Sequence, residues 1–274
     1  MSEERRLGKR PPKVDRRTLR FAKYRTRELP VPPLTEDHYS RIASWPVLSN
    51  TKYGDCVLAG SAHMIQDWTA YASTERCPSE QEVVDLYLQL SPNDEGLYIL
   101  DTLNLWRQSG LWGDIIEAFV LLDRGDVGQA KQAIHLFGAI KIGMSLPDQN
   151  TFGPWERVQG PPNPSNGHDV ALVGYDATGF WVVTWGTLIH MSYAWFTKYT
   201  DEAYAVLSKD WLNSVGESDD GFDFATLWDD LAALTGEPPG PPVDPPSPPS
   251  SWVSFAFIVG AIAVIGFLIW RFVS

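Results

Sequence analysis

Eight prolines between Pro238 and Pro249 limit how far a globular fold can extend in this chain of 274 residues. Proline lacks an amide N–H and fixes its own backbone angle, so this segment favours an extended polyproline conformation over helix or sheet. At ~3.1 Å per residue, a dozen such residues span roughly 40 Å. We therefore interpret residues 235–251 as a stiff, proline-rich linker.

A run of 19 residues without a charge, Trp252–Trp270, follows the linker. As a helix it would rise about 28 Å, close to the thickness of the bilayer core. Trp at both ends is typical of interfacial anchoring. The alternative is a buried core helix, which a stiff linker before it and a tail of only four residues, 271–274, disfavour. The sequence predicts one C-terminal transmembrane helix over residues 252–270.

The N-terminal residues 1–44 form a basic and then proline-containing arm. Residues 1–27 hold eleven Lys or Arg against three acidic residues, a net charge of +8, which leaves −20 for the rest of a chain whose total is −12. Such an arm can attract an acidic or anionic partner, or it can be a solvated, flexible terminus. The acidic remainder argues against a specific nucleic-acid ligand. No apolar stretch follows the charged start, so we expect the globular part to stay on the cytoplasmic side of the membrane.

In the globular segment, residues 45–234, the spacing of apolar residues changes part-way along the chain. Its first part is predicted to be helical, and its second part alternates as strands do. Helices are predicted after Asp55, after a capping box formed by Ser79 and Glu82, at 99–108 before Gly110, and at 127–137 before Gly138. Strands are predicted at 139–146 and in a hairpin formed by DVALVGYD and FWVVTW. Helices first and strands second indicate an α+β fold.

Cys56 follows the turn-forming pair Gly54-Asp55 and starts the first predicted helix. Unpaired N–H groups and the dipole at a helix N-terminus favour a thiolate, which is the form that attacks carbonyl carbon. The alternative is a small cysteine buried in a helix. Cys77 is the other cysteine, and two cysteines make no disulfide framework for a chain of this size, which suits a reducing compartment.

His168 begins the alternating strand directly after the loop GPPNPSNG, where a base facing a cleft can lie. Alternation places His168, Val170 and Leu172 on one side of the sheet, so we expect Asp169 to face solvent. His63 lies seven residues after Cys56 on the same predicted helix, roughly 10 Å along its axis and too far for direct proton transfer. We find no dinucleotide-binding motif, no P-loop and no metal-ligand spacing, and therefore predict neither a cofactor nor a metal.

Together the segments YGDCVLAGSAHMI and GHDVALVGYDATGFWVV resemble the papain superfamily of cysteine peptidases, from Leu48 to Gly186. The resemblance implies a helical N-terminal half packed against an antiparallel sheet in the C-terminal half, a Cys–His thiolate mechanism, and protein or peptide substrates. The GDC and TWG motifs are also similar to those of actinobacterial and phage proteins, which would make TWG a feature of that subgroup.

The resemblance implies roles for two further residues. Papain-like enzymes have a glutamine that donates to the oxyanion six residues before the cysteine, and here Asn50 occupies that position. They also have an asparagine sixteen residues after the histidine, and here Thr184 occupies that position. An Asn amide offers the same donor with one methylene less reach, and a Thr hydroxyl can bond to the imidazole but orients it less firmly.

Two hypotheses follow. In the first, the chain is a membrane-tethered cysteine hydrolase that cleaves peptide or amide bonds, with Cys56, His168, Thr184 and Asn50 at its site. In the second, it is a catalytically inactive papain-like binding domain displayed on a membrane stalk. The departures at Asn50 and Thr184 motivate the second hypothesis.

Overall fold

The computed structural model describes residues 5–25, 31–72, 74–215 and 222–236. Its helices are α1 (Phe21–Tyr24), α2 (Cys56–Ala72), α3 (Glu80–Leu90), α4 (Ile99–Ser109), α5 (Val127–Phe137), α6 (Tyr193–Tyr199), α7 (Lys209–Val215) and α8 (Phe224–Thr235). Its strands are β1 (Glu36–Asp37), β2 (Ile116–Leu121), β3 (Ile140–Ser145), β4 (Gly167–Tyr175), β5 (Gly179–Thr184), β6 (Thr187–Ser192) and β7 (Thr200–Ser208).

The helix boundaries follow local signals that the sequence contains. At the start of α3, the Ser79 side chain accepts from the backbone of Glu82, and the Glu82 side chain accepts from the backbone of Ser79, so the predicted capping box is present. Helix α5 begins after Asp126, whose carboxylate accepts from the N–H of Gln129. Gly110 and Gly138 end α4 and α5 at positive φ, where a side chain would be strained. These predictions are confirmed.

The strands form one antiparallel sheet in the order β2-β7-β3-β4-β5-β6, and β1 pairs with β4. The predicted hairpin is β4 and β5, which pair antiparallel with Tyr175 opposite Phe180. The α+β architecture with an antiparallel sheet is therefore confirmed. Strand β2 lies between α4 and α5 in the chain, so the division into helices first and strands second is not complete.

Both faces of the central strand β4 are covered, which corrects the expectation for Asp169. Val170 and Leu172 pack into one apolar core, and Ala171 and Val173 pack into a second core that contains α2. Every residue of β4 is buried as a result. Asp169 lies on the α2 side and is 2% exposed, so the prediction that it faces solvent is wrong.

The described part of the N-terminal arm packs against the rest of the protein. Phe21 and Tyr24 of α1 are fully buried, and Lys9 is 5% exposed. The arm's basic side chains pair with acidic residues elsewhere in the chain, namely Arg6 with Asp94, Arg10 with Glu95, Lys13 with Asp101 and Lys23 with Asp230. A solvated, flexible terminus therefore does not describe these residues.

Helix α8 ends at Thr235, where the linker was predicted to begin, and Gly236 follows in the left-handed conformation. The remainder of the linker and the predicted transmembrane segment, residues 252–270, lie outside the described residues. Among the helices that are described, none combines the length and apolar character needed to cross a bilayer.

Candidate active site

Cys56 is the first residue of α2, as predicted, and its side chain is 1% exposed. The Asp55 carbonyl accepts from the N–H groups of Leu58 and Ala59, which leaves the N–H of Cys56 at the free end of the helix. Burial raises the pKa of the Cys56 thiol to about 12, and the carboxyl groups of Asp169 and Asp55 also raise it. Hydrogen bonds from the backbone N–H groups of Asp169 and Gly8 act in the opposite direction.

His168 lies at the start of β4 and is held by two residues of the TWG motif. Its Nε2 lies 2.8 Å from the Thr184 hydroxyl, and its ring stacks on Trp185 at 4.2 Å between ring centroids and 10° between planes. Burial lowers the pKa of His168 to about 3, and the nearby Arg5 guanidinium lowers it further. The ring is therefore neutral while the site is covered, and a neutral ring can accept a proton.

The second ring nitrogen of His168, Nδ1, is buried and has no hydrogen-bond partner. If Nε2 donates its hydrogen to Thr184, Nδ1 carries a lone pair and can act as a base. The next residue along β4, Asp169, directs its backbone N–H to the Cys56 sulfur. The side chains of His168 and Asp169 leave β4 on opposite faces, and Nδ1 of His168 makes no hydrogen bond to the Cys56 sulfur in this structure.

A buried ion pair fixes α2 against the sheet at this point. Lys141 of β3 lies 2.7 Å from Asp169, and both side chains are fully buried. The Lys141 ammonium also donates to the Val57 carbonyl at 2.8 Å and to the Ser61 hydroxyl at 3.0 Å, both on the first turns of α2. Burial raises the pKa of Asp169 to about 7, against the lowering effect of Lys141. This pair joins the strand that carries His168 to the helix that carries Cys56.

Asn50 does not donate toward the Cys56 sulfur in this structure. Its side-chain nitrogen donates to the Asp55 carboxylate at 2.9 Å and to the Tyr53 carbonyl at 3.3 Å, which uses both of its hydrogens. Burial raises the pKa of Asp55 to about 7, and the bond from Asn50 lowers it. For Asn50 to stabilise an oxyanion, it must first release Asp55.

The N-terminal arm covers the site. Besides the Gly8 N–H at the sulfur, the Trp185 indole donates to the Arg6 carbonyl at 3.1 Å, and the Arg5 guanidinium lies 5.1 Å from the centre of the Trp185 ring. The 1% exposure of Cys56 and of His168 is consistent with this cover. In the structure, the chain's own N-terminal residues therefore cover the residues of the candidate site.

The sequence patterns assign no role to Trp185, Lys141 or Gly8. The signal for Trp185 was present, since it lies in the TWG motif next to Thr184. Lys141 and Gly8 carry no local signal, because their partners lie far away in the chain. Within the ranges that the structure describes, no group of three or more His, Cys, Asp or Glu residues could hold a metal ion.

Solved structures of cysteine proteases share this arrangement of elements. Xylellain, a cysteine protease from Xylella fastidiosa, aligns with a TM-score of 0.59 at 14% identity, over 75% of this chain and 97% of that one. This chain has the papain-like fold. The papain-like digestive procathepsin L 3 of Tenebrio molitor larval midgut aligns with a TM-score of 0.50 at 13% identity, over 75% and 76% of the two chains.

A third papain-like structure, the cysteine protease and lectin-like domains of Cwp84 from Clostridium difficile, aligns with a TM-score of 0.51 at 12% identity. The alignment covers 75% of this chain and 56% of that one. By sequence alone, no family model and no curated protein matches this chain. The likeness is therefore one of papain-like fold, and activity must be argued from the residues of the site.

Proposed function

We propose that this chain is a cysteine hydrolase that cleaves peptide or amide bonds, with Cys56 as nucleophile, His168 as base and Thr184 as the residue that positions His168. The observation that carries the proposal is the hydrogen bonding of the two ring nitrogens of His168. Thr184 holds one ring nitrogen, and the other is buried without a hydrogen-bond partner, so it is available to accept a proton. An imidazole held in this way is an oriented base, and the mechanism requires the Cys56 thiol to come within hydrogen-bond distance of it once the cleft opens.

The reaction runs in two stages. The Cys56 thiol gives its proton to Nδ1 of His168, and the sulfur attacks the carbonyl carbon of the substrate to form a C–S bond. The Cys56 backbone N–H, at the N-terminus of α2, stabilises the oxyanion, and Asn50 adds a second donor once it releases Asp55. The C–N bond then breaks as His168 protonates the leaving amine. Water, deprotonated by His168, attacks the thioester and releases the acid and the free thiol.

With the arm in place, the site is held in a resting state. Burial favours the neutral form of each group, so the thiol stays protonated and the imidazole stays neutral. A substrate must displace residues 5–9 to reach the sulfur. Hydration of the opened cleft lowers the cost of the thiolate–imidazolium pair, which is the reactive form.

Replacing Thr184 by Val should lower kcat/KM for peptide hydrolysis by about 10- to 100-fold, the cost of a misplaced catalytic group. Valine has a similar shape but no hydroxyl to hold Nε2 of His168. Thr184→Ser keeps the hydroxyl and serves as the matched control, with activity close to that of the wild-type chain. Steady-state kinetics on a fluorogenic peptide mixture measures the effect. Equal activity of Thr184→Val and Thr184→Ser would show that this residue does not position His168.

We also propose that residues 252–270 tether the hydrolase to a membrane, with its globular part on the cytoplasmic side. The support is the 19-residue uncharged run and the eight prolines before it. A chain that ends at Ser247 should remain in the supernatant after ultracentrifugation of a cell lysate, while the full chain sediments with membranes. Sedimentation of the shortened chain with membranes would rule out this tether.

An inactive papain-like binding domain is the second candidate. The observation in its favour is that Asn50 is engaged by Asp55 and the arm fills the space above Cys56. The Cys56→Ala variant distinguishes the two candidates. A binding domain keeps its biological activity without the Cys56 thiol, whereas a hydrolase loses its biological activity.

A further inference from the structure

The arm crosses the cleft in an extended conformation between the two halves of the fold. On the helical side, Leu97 donates its N–H to the Gly8 carbonyl at 2.8 Å and accepts from the Arg10 N–H at 2.8 Å. On the sheet side, the Lys9 N–H donates to the carbonyl of Gly167 at 3.1 Å, next to His168. These bonds involve main-chain atoms alone, so any extended peptide can make them, and side chains must supply the specificity.

The fit of the arm backbone is close because glycines line its path. A Cβ atom on Gly8 would lie 1.7 Å from the Gly54 carbonyl oxygen. A Cβ atom on Gly167 would lie 2.0 Å from the Lys9 carbonyl oxygen, and one on Gly96 would lie 2.0 Å from the Gly8 carbonyl oxygen. A side chain at any of these positions would push the arm away from the cleft.

The side chain of Lys9 enters a pocket on the sheet side and is 1% exposed there. Its ammonium lies 3.0 Å from the Asp201 carboxylate and 3.3 Å from the Glu202 carboxylate, both at the start of β7. It also donates to the Arg10 carbonyl at 3.1 Å. The two acidic side chains are themselves 10% and 3% exposed, so this is a built, enclosed site rather than a surface ion pair.

The walls of the pocket hold the carboxylates in place and leave room for a long side chain. The Ser145 hydroxyl donates to Asp201 at 2.6 Å, and the Tyr204 hydroxyl donates to Glu202 at 3.0 Å. Gly143 of β3 provides the space, because a Cβ atom there would lie 2.1 Å from Cε of Lys9. The pocket is thus shaped for an unbranched chain that ends in a cation.

The negative charges of Asp201 and Glu202 determine which kind of side chain can fill the pocket. Two adjacent carboxylates removed from water repel each other and lose hydration, so they need a cation between them. Burial raises the pKa of Glu202, and Lys9 is the largest influence that lowers it. An apolar occupant would leave both carboxylates unpaired, and an acidic occupant would add a third like charge.

We propose that Asp201, Glu202 and Gly143 form a specificity subsite of the cleft for a lysine or arginine side chain, which Lys9 fills in the closed state. This inference rests on the proposed function and names its substrate class: peptides that carry Lys or Arg close to the bond that is cut. In the closed state the arm residues around Lys9 lie across the cleft and fill the space that such a peptide needs.

A binding experiment tests the subsite without requiring catalysis. The host is the full chain with Gly8→Val, in which a side chain at position 8 clashes with the Gly54 backbone and displaces the arm. The probes are three labelled peptides based on residues 5–13, RRLGKRPPK. One keeps the natural Lys at the position of Lys9, and the other two carry Arg or Met there. Fluorescence anisotropy gives each Kd, and protection of Cys56 from iodoacetamide shows that the peptide lies in the cleft.

The Lys and Arg peptides should bind at least about tenfold more tightly than the Met peptide, as expected when one partner of a buried charge cluster is removed. In a Gly8→Val host that also carries Asp201→Asn and Glu202→Gln, this difference should disappear. Equal binding of the Lys and Met peptides to the first host, or no binding of any of them, would overturn the proposal.

A second measurement covers the case in which Gly8→Val does not fold. In the full chain, Lys9→Met should raise the rate of Cys56 alkylation by about tenfold or more, because the arm loses its buried anchor. Lys9→Arg should stay near the wild-type rate. Lys13→Met is the matched control, since Lys13 lies on the same arm but pairs with the exposed Asp101. Equal rates for Lys9→Met and Lys13→Met would count against the subsite.

Failure of the subsite and failure of the hydrolase are distinguishable. Cys56-dependent hydrolysis of a peptide mixture with no preference for Lys or Arg would remove the subsite and leave the hydrolase. Discrimination between the Lys and Met peptides without any Cys56-dependent hydrolysis would leave the subsite and remove the hydrolase.

Discussion

Cys56→Ser should lower peptide hydrolysis by at least about 1,000-fold, while Cys77→Ser should leave it within about twofold of the wild-type rate. A serine hydroxyl at the start of α2 is a much weaker acid than a thiol, and a neutral imidazole such as His168 cannot activate it to the same degree. Cys77 is the matched control because its sulfur is half-buried and lies against the Ala62 carbonyl at 3.9 Å. Cleavage of a fluorogenic peptide mixture, followed over hours, measures both variants.

Two outcomes would contradict this prediction. Equal activity of Cys56→Ser and the wild-type chain would exclude Cys56 as the nucleophile. Loss of activity in Cys77→Ser alone, with the fold retained by circular dichroism, would move the nucleophile to the other thiol.

Lys141→Met should lower the free energy of unfolding by about 3–5 kcal/mol, the usual cost of removing one partner from a buried ion pair. Lys141 is fully buried and donates to Asp169, the Val57 carbonyl and the Ser61 hydroxyl. Methionine fills much of the same volume but leaves the Asp169 carboxylate without a cation. Lys209→Met, at an exposed position, is the control and should change the free energy of unfolding by less than about 0.5 kcal/mol.

The pH dependence of Lys141→Met has a defined sign. Burial already holds the pKa of Asp169 at about 7 in the folded protein, above its ordinary value of 3.8, and loss of Lys141 raises that pKa further. A carboxyl group whose pKa is higher in the folded protein than in the unfolded chain favours folding most at low pH. This stabilisation is lost as the pH rises through the pKa of the folded state. The destabilisation by Lys141→Met should therefore be smaller at pH 5 than at pH 8.

Urea unfolding, followed by tryptophan fluorescence, measures the free energy of unfolding of each variant at pH 5 and at pH 8. In a double variant, Lys141→Met with Asp169→Leu, much of the lost stability should return, since removing both charges avoids the unpaired carboxylate. Equal free energies of unfolding for Lys141→Met and Lys209→Met would show that the ion pair does not hold α2 to the sheet.

Local signals explain why the helix boundaries could be predicted. Caps and glycines act within a few residues, so Ser79, Gly110 and Gly138 mark helix ends in the sequence as they do in the structure. The sixteen-residue spacing that the family resemblance supplies also predicts the pairing of His168 with Thr184. Adjacent antiparallel strands bring residues at that spacing together.

Other features depend on contacts that no local pattern records. Alternation placed Asp169 opposite His168 but could not show that α2 covers that face and that Lys141 comes to meet the carboxylate. The spacing that selected Asn50 gave its chain position and not its partner, which is Asp55. The charge of the arm suggested a solvated segment or an external anionic partner, whereas Lys9 is paired with Asp201 and Glu202, almost 200 residues further along the chain.

We infer that His168 activates Cys56 once the cleft is open. The most direct measurement is the pH dependence of iodoacetamide alkylation at Cys56, by mass spectrometry, in the full chain carrying Gly8→Val, with and without His168→Ala. A thiolate paired with an imidazolium predicts substantial alkylation below pH 7 that His168→Ala abolishes. An alkylation profile with the ordinary thiol pKa of about 8.5, unchanged by His168→Ala, would contradict the claim.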